Sequence, residues 1–243
     1  MQYPGIILAI GLALVHAFVA KLNISKYIPE FRWLSFAGGV SIGYVFLEVF
    51  PELSHAQEEL EHSAIPFIAY LENHVYLLAM LGLLFFYGLD VLAFKSKSRS
   101  QKNHTEDKSD ALIFGSRIAS FTILNAIFGY LLQDLGVHSL WVCFLFFLAV
   151  SLHFFIIDHH LREHHQNSYD KQVRWILTAA IMVGAIAGQA IHLNEAALSI
   201  IWSFLAGSII FNILKHELPD EKKSCFGSFT TGAGIYTLLL LLT

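Results

Sequence analysis

The sequence contains few charged residues. Only 14% of its 243 residues are Asp, Glu, Lys or Arg, whereas roughly a quarter of a soluble domain is charged. The hydrophobic share is 56% and the mean hydropathy is +0.58, values typical of a chain that buries most of its surface in lipid. The deficit of charge therefore predicts an all-α integral membrane protein with the lipid bilayer as its main partner.

An excess of basic residues is also lacking. The 15 Lys and Arg residues are outnumbered by 19 Asp and Glu residues, which leaves no basic surface for a phosphate backbone and excludes nucleic acid as a partner. The two cysteines, Cys143 and Cys225, form no spaced cluster, so we expect neither a disulfide nor a cysteine metal site. No nucleophile and base arrangement and no His-Glu-x-x-His motif occurs, so we expect no enzymatic activity.

Long hydrophobic runs, in contrast, are abundant. Eight segments approach the roughly 20 apolar residues that a membrane helix needs, and they lie near 4–20, 33–50, 75–94, 111–132, 140–160, 173–191, 196–215 and 227–242. All 15 bases lie in or beside the first, third, fifth and seventh loops between them, and cytoplasmic loops collect Lys and Arg. This pattern predicts eight transmembrane helices with both termini outside. Small residues in FAGGVSIG and VGAIAGQA predict close helix packing.

The second and seventh spans resemble each other when Pro51 is aligned with Pro219. At this offset of 168 residues Gly39 meets Gly207, and the two spans run in opposite directions in the predicted topology, as an inverted repeat requires. The sequence therefore predicts one transmembrane domain with a flexible cytoplasmic loop and a central helix pair between two three-helix repeats. The segments are 1–94 (first repeat), 95–110 (loop), 111–160 (central pair) and 173–243 (second repeat).

Polar side chains within the spans are the candidates for an ion site, because each is costly in lipid without a partner or a pathway. Asn125 and His153 lie at mid-depth, Asp158 follows at the inner end of the fifth span, and Glu48 lies near the outer end of the second. For Asn125 or His153, a hydrogen bond to a neighbouring backbone explains the residue equally well. His16 stands near a span end, where reaching water is the ordinary explanation.

The run DHHLREHH at the inner end of the fifth span is the densest group of possible metal ligands. If the helix continues, His160 and His164 are four residues apart and share a face, which lets two imidazoles bind one divalent ion. A solvated cap, with Asp158 paired to Arg162, is the alternative. The candidate metal ligands on this side of the membrane are His159, His160, His164, His165, His216 and Glu217.

An acidic stretch that begins with Glu52 and His55 follows the second span. It would concentrate cations at an entrance on the outer side. A solvated acidic helix explains the same pattern equally well.

Together these features resemble the ZIP family of divalent-metal transporters. The resemblance covers nearly the whole chain and rests on SFAGGVSIGYVFLEVFPELSHA in the second span and on FLAGSIIFNILKHELPDEKK leading into GSFTTGAGIYTLLLLL. It implies a 3+2+3 inverted-repeat bundle in the plasma (inner) membrane. It also implies zinc above all, or another divalent transition metal, as the substrate moved toward the cytoplasm, with no organic cofactor. A homodimer is left open.

The central pair departs from the family's pattern. The fourth span reads LNAIFG, which keeps Asn125 and Gly129 but lacks the family's His and acid. The fifth reads HFFIID, which keeps His153 and Asp158 but lacks the middle ligands and the Pro. Two hypotheses follow. In the first, the chain is a carrier: Glu48 or the outer acidic stretch captures the ion, Asn125 and His153 hold it, and the 159–165 run receives it. In the second, the chain is a non-transporting metal sensor or interaction partner.

Overall fold

The structure, a computed structural model, describes residues 3–19, 27–61, 74–103, 106–132, 140–218 and 224–242, and most of these residues are helical, without any strand among them. The α-helices are α1 (Tyr3–Phe18), α2 (Glu30–Tyr44), α3 (Phe50–Glu61), α4 (Val75–Asn103), α5 (Glu106–Leu131), α6 (Leu140–Ser168), α7 (Arg174–Ala190), α8 (Glu195–Asn212) and α9 (Phe226–Leu241). Three π-helical turns interrupt them: π1 (Val45–Val49) after α2, π2 (Tyr169–Val173) after α6 and π3 (Ile213–Glu217) after α8.

Five helical segments of the described residues are long and apolar enough to cross a membrane. They are Glu30–Glu58, Val75–Leu92, Trp141–Glu163, Gln166–Ala190 and Glu195–Glu217. Two shorter apolar helices are Gly5–Phe18 and Phe226–Leu241. Large apolar side chains such as Ile186 and Leu238 lie exposed on the outside of the bundle, where lipid would cover them. The prediction of an all-helical chain suited to a membrane is confirmed, and the count of eight spans stays a prediction.

The third predicted loop is helical in its described residues, and residues 104 and 105 lie outside the described part of the chain. Residues 95–103 continue α4, and residues 106–110 begin α5. Lys, Arg and Gln are good helix formers, and extending an existing helix adds one hydrogen bond for each residue fixed. The fifth predicted span likewise continues beyond His160 to Ser168, so the backbone condition for a shared His160 and His164 face is met.

Glycines let three pairs of helices approach closely. Between α2 and α9, a Cβ placed on Gly39 would lie 2.1 Å from the carbonyl oxygen of Phe229, and one on Gly232 would lie 2.1 Å from that of Phe36. Each glycine thus faces the carbonyl three residues before the other glycine. Such contacts allow Cα–H···O interactions across the interface.

The same reciprocal arrangement recurs in two other pairs. Gly82 on α4 and Gly207 on α8 face the carbonyls of Phe204 and Ala79, and Gly129 on α5 and Gly184 on α7 face those of Ile181 and Ala126. The close packing predicted from the small residues of the second and sixth spans is therefore confirmed.

Helix α6 lies at the centre of the bundle, because residues 153–158 are buried on every side. Its neighbour α1 contacts both α6 and α7. His16 is hydrogen-bonded to Asp158 on α6, and Arg174 at the start of α7 donates to the carbonyl of Ala17 at 3.5 Å. The chain from Asp158 to Arg174 therefore returns to the same end of α1.

Candidate functional site

Among the described polar side chains buried inside the apolar helices, four are His, Asp or Glu, and the amide of Asn125 is hydrogen-bonded to one of these four. His16, Asn125, His153, Asp158 and Glu217 have at most 5% of their surface exposed. Because polar and ionisable groups are expensive inside a membrane bundle, the partners of these five define the candidate site.

His16 connects three helices through its two ring nitrogens. Its Nδ1 lies 2.7 Å from Oδ2 of Asp158 on α6, and its Nε2 lies 2.8 Å from Oδ1 of Asn125 on α5. The amide nitrogen of Asn125 donates to the carbonyl of Phe121 at 2.9 Å, and the ring of Phe154 stacks on the imidazole with 4.6 Å between centroids. We call His16, Asn125 and Asp158 the His16 network.

The His16 network is not fully satisfied. Within the described part of the chain, Oδ1 of Asp158 and the hydroxyl of Tyr169 form no hydrogen bond of ordinary length, although the hydroxyl lies within longer hydrogen-bonding reach of the Asp158 carboxylate. Tyr169 begins π2, and it lies close enough to Asp158 for an electrostatic interaction. Both residues have 0% of their surface exposed, so water does not reach the free oxygen from the surface. An unpaired buried carboxylate oxygen is costly.

A second buried pair joins α6 to π3. Nδ1 of His153 contacts Oε1 of Glu217, while Oε2 of Glu217 has no hydrogen-bond partner among the described residues. We call this the His153 pair. Each of the two sites thus combines an imidazole, a carboxylate and one unpaired carboxylate oxygen.

Asp90 on α4 contacts charged or ionisable side chains from two other helical segments, α5 and π3. It forms ion pairs with Arg117 at 2.9 Å and with Lys215, and His216 lies 3.7 Å away. We call these four residues the Asp90 cluster. A small cavity opens beside it, lined also by Asn212.

The histidines of the DHHLREHH run are dispersed rather than gathered around one point. His160 donates through Nε2 to the carbonyl of His216 at 2.9 Å, and Nε2 of His159 lies 3.0 Å from Oε1 of Glu30. The side chains of His164 and His165 lie outside the described part of the chain. In that part, no group of three or more His, Cys, Asp or Glu side chains comes close enough to hold a metal ion.

The residues predicted for the outer side have other surroundings than the two buried sites. Oε1 of Glu48, in π1, accepts a hydrogen bond from the hydroxyl of Tyr236 on α9 at 2.6 Å. Glu52 and His55 are exposed on α3. The structure therefore separates the four predicted site residues: Asn125 and Asp158 share His16, His153 pairs with Glu217, and Glu48 pairs with Tyr236.

Two sequence interpretations are wrong in detail. His16 does not reach water, since it is 1% exposed, and it forms the centre of the buried network. Asp158 does not pair with Arg162, whose guanidinium binds Asp170 at 2.8 Å instead. The signal that could have identified His16 is its isolation, because α1 holds no other His, Asp, Glu, Lys or Arg.

The chain matches no protein-family model, no curated protein and no solved structure.

Proposed function

We propose that the chain is a membrane carrier that moves a divalent transition-metal cation, zinc foremost, toward the cytoplasm. Its architecture is a ZIP-like bundle of eight spans with both termini outside, in which two inverted three-helix repeats flank a central pair. The bundle would sit in the plasma (inner) membrane.

Two features support the inverted repeat. The π1 and π3 turns are 168 residues apart at both ends, which is the offset that aligns Pro51 with Pro219. The glycine contacts agree, because an inverted repeat exchanges the α2 and α9 pair with the α8 and α4 pair, and both pairs use the same reciprocal geometry. Opposed repeats of this kind can rock against a central pair.

The observation that carries the proposal is the His153 pair. An imidazole and a carboxylate are ordinary zinc ligands, and here they face each other within apolar helices with one carboxylate oxygen unpaired. Glu217 belongs to a π turn, and such turns often occur at functional sites. A ligand on π3 could change position with the repeat while His153 stays on the central helix.

A non-transporting metal sensor or interaction partner is the second candidate. It is favoured by the absence, among the described residues, of any group of three or more His, Cys, Asp or Glu ligands. A structural zinc ion normally takes four ligands and a catalytic one three.

Zinc and manganese uptake into proteoliposomes tests the proposal. Purified wild type is compared with His153→Ala and Glu217→Gln, and His192→Ala, exposed between α7 and α8, serves as the matched control. We expect uptake by wild type and the control, and a loss of about tenfold or more in the other two. Wild-type uptake no higher than that of empty liposomes for both metals would refute transport and favour the second candidate.

A further inference from the structure

We propose that the His16 network is a second divalent-cation site, in which Nδ1 of His16 and the carboxylate of Asp158 bind the ion while Asn125 orients the imidazole. The inference rests on the proposed function, because it adds a second station for the same substrate. It assigns a ligand to the first span, in which the sequence predicts none.

The hydrogen bonds of Asn125 determine which nitrogen of His16 is available. The carbonyl of Phe121 can only accept, so the amide nitrogen of Asn125 must face it. The amide oxygen therefore faces His16, and Nε2 must carry the proton of that bond. Because Nδ1 also lies at hydrogen-bond distance from Oδ2 of Asp158, a second proton lies between these two atoms, and a cation that binds Nδ1 must displace that proton. Metal-binding histidines are commonly held in this way, with the other ring N–H donated to an oxygen.

Asp158 provides the second ligand, because only one of its two carboxylate oxygens is hydrogen-bonded to His16. Its Oδ2 faces His16, and its buried Oδ1 forms no hydrogen bond of ordinary length among the described residues. The buried hydroxyl of Tyr169 lies on the next helical segment, π2, and interacts with this carboxylate over a longer distance than an ordinary hydrogen bond. An entering cation would thus meet an imidazole, two carboxylate oxygens and a hydroxyl in one place, which is a nitrogen and oxygen set suited to zinc or manganese.

Only a small movement separates the present geometry from coordination. Zinc binds nitrogen and oxygen at about 2.0–2.2 Å with tetrahedral angles, so two such ligands stand about 3.3 Å apart. Nδ1 and Oδ2 are now 2.7 Å apart. Rotation of the Asp158 carboxylate, without helix movement, can provide the difference of about 0.6 Å.

A purely structural role explains the network less well. Replacing a buried ionic pair by apolar residues is often neutral or stabilising, so stability alone does not require a buried imidazole and carboxylate at this place. Arg174 near the network would weaken cation binding by repulsion. That effect disfavours permanent retention of an ion and favours its release.

Cobalt, a spectroscopic substitute for zinc, tests the site at equilibrium in the purified full-length protein. We expect wild type and the exposed-histidine control His192→Gln to give the same d–d absorption. His16→Gln and Asp158→Asn should lower the affinity at least tenfold and change the spectrum. Asn125→Leu should weaken binding about 10–100-fold but keep the absorption per bound ion. This change alters the orientation of the His16 imidazole and leaves both metal ligands, His16 and Asp158, in place.

Zinc-edge X-ray absorption of the His153→Ala variant provides a measurement that does not alter the network. One imidazole still bound to zinc would support the His16 site, whereas zinc without any imidazole ligand would overturn the proposal. If wild type, His16→Gln and Asp158→Asn all take up zinc equally well, the inference fails while the proposed function stands. If cobalt binding depends on His16 but wild type shows no uptake, the carrier function fails and the site remains.

Discussion

Gly207 on α8 gives the most direct test of the packing that holds the candidate sites in place. A Cβ at this position would lie 1.7 Å from the carbonyl oxygen of Ala79 on α4, whereas real Cβ contacts stay beyond 3.0 Å. The obstructing atom belongs to the backbone, so no side-chain rotation can relieve the overlap. Gly207→Ala must therefore move α4 and α8 apart locally by about 1.3 Å.

The expected cost follows from the contacts that this movement breaks. Overpacking costs about 1–3 kcal/mol, and each lost Cα–H···O contact adds about 0.5–1 kcal/mol. The reciprocal contact of Gly82 with the carbonyl of Phe204 lies in the same interface and weakens together with the first. We expect Gly207→Ala to lower the free energy of unfolding by about 2–5 kcal/mol.

The measurement is reversible unfolding in mixed detergent micelles, followed by circular dichroism. Gly234→Ala on α9 is the matched control, because a Cβ placed on Gly234 would meet no atom of another described helix within 4 Å; we expect a change within about 0.5 kcal/mol. Gly82→Ala should resemble Gly207→Ala, and the double variant should lose less than the sum of the two, because both act on one interface.

Equal stability of Gly207→Ala and Gly234→Ala would refute the close approach of α4 and α8. Strict additivity of Gly82→Ala and Gly207→Ala would instead refute their membership in one shared interface. Either result would also remove the glycine support for the inverted repeat.

Three further changes test other contacts. Asp90→Asn removes the carboxylate charge at the centre of the Asp90 cluster, so the free energy of unfolding should fall by about 1–3 kcal/mol in the same assay; an unchanged value would contradict the ion pairing. Tyr236→Phe removes the hydroxyl that donates to Glu48 and should cost about 1 kcal/mol, and a gain in stability would oppose that bond. The hydroxyl of Ser228 donates to Sγ of Cys225 and lowers the pKa of this thiol, so Ser228→Ala should shift the pH midpoint of maleimide labelling upward; identical pH profiles would contradict this.

The helical, membrane-suited character of the chain was predictable, since it depends on local composition. The apolar runs and the small residues at regular spacing act within one helix or between two helix faces. The π1 and π3 turns were not predictable in the same way, because a π turn differs from an α turn by one residue of backbone register and no single side chain dictates it.

The partners of the buried polar groups were the least predictable feature. His16 and Asp158 are separated by 142 residues and His153 and Glu217 by 64, so no local spacing links them. Proximity to a span end suggested that His16 reaches water, but the end of α1 is covered by α6 and α7. The four-residue spacing predicted that Asp158 pairs with Arg162, but Arg162 binds Asp170 instead.

The two buried sites share a consequence for affinity. In both, the carboxylate already holds an imidazole, so an entering cation must replace that hydrogen bond before it can bind. A hydrogen bond to a charged group contributes about 1.5–3 kcal/mol, and each 1.4 kcal/mol corresponds to about tenfold in affinity. Binding is therefore weakened by about 10–150-fold relative to the same ligands held apart. Conduction through successive sites requires binding weak enough for the ion to leave, so self-paired ligands suit a carrier better than a permanent metal centre.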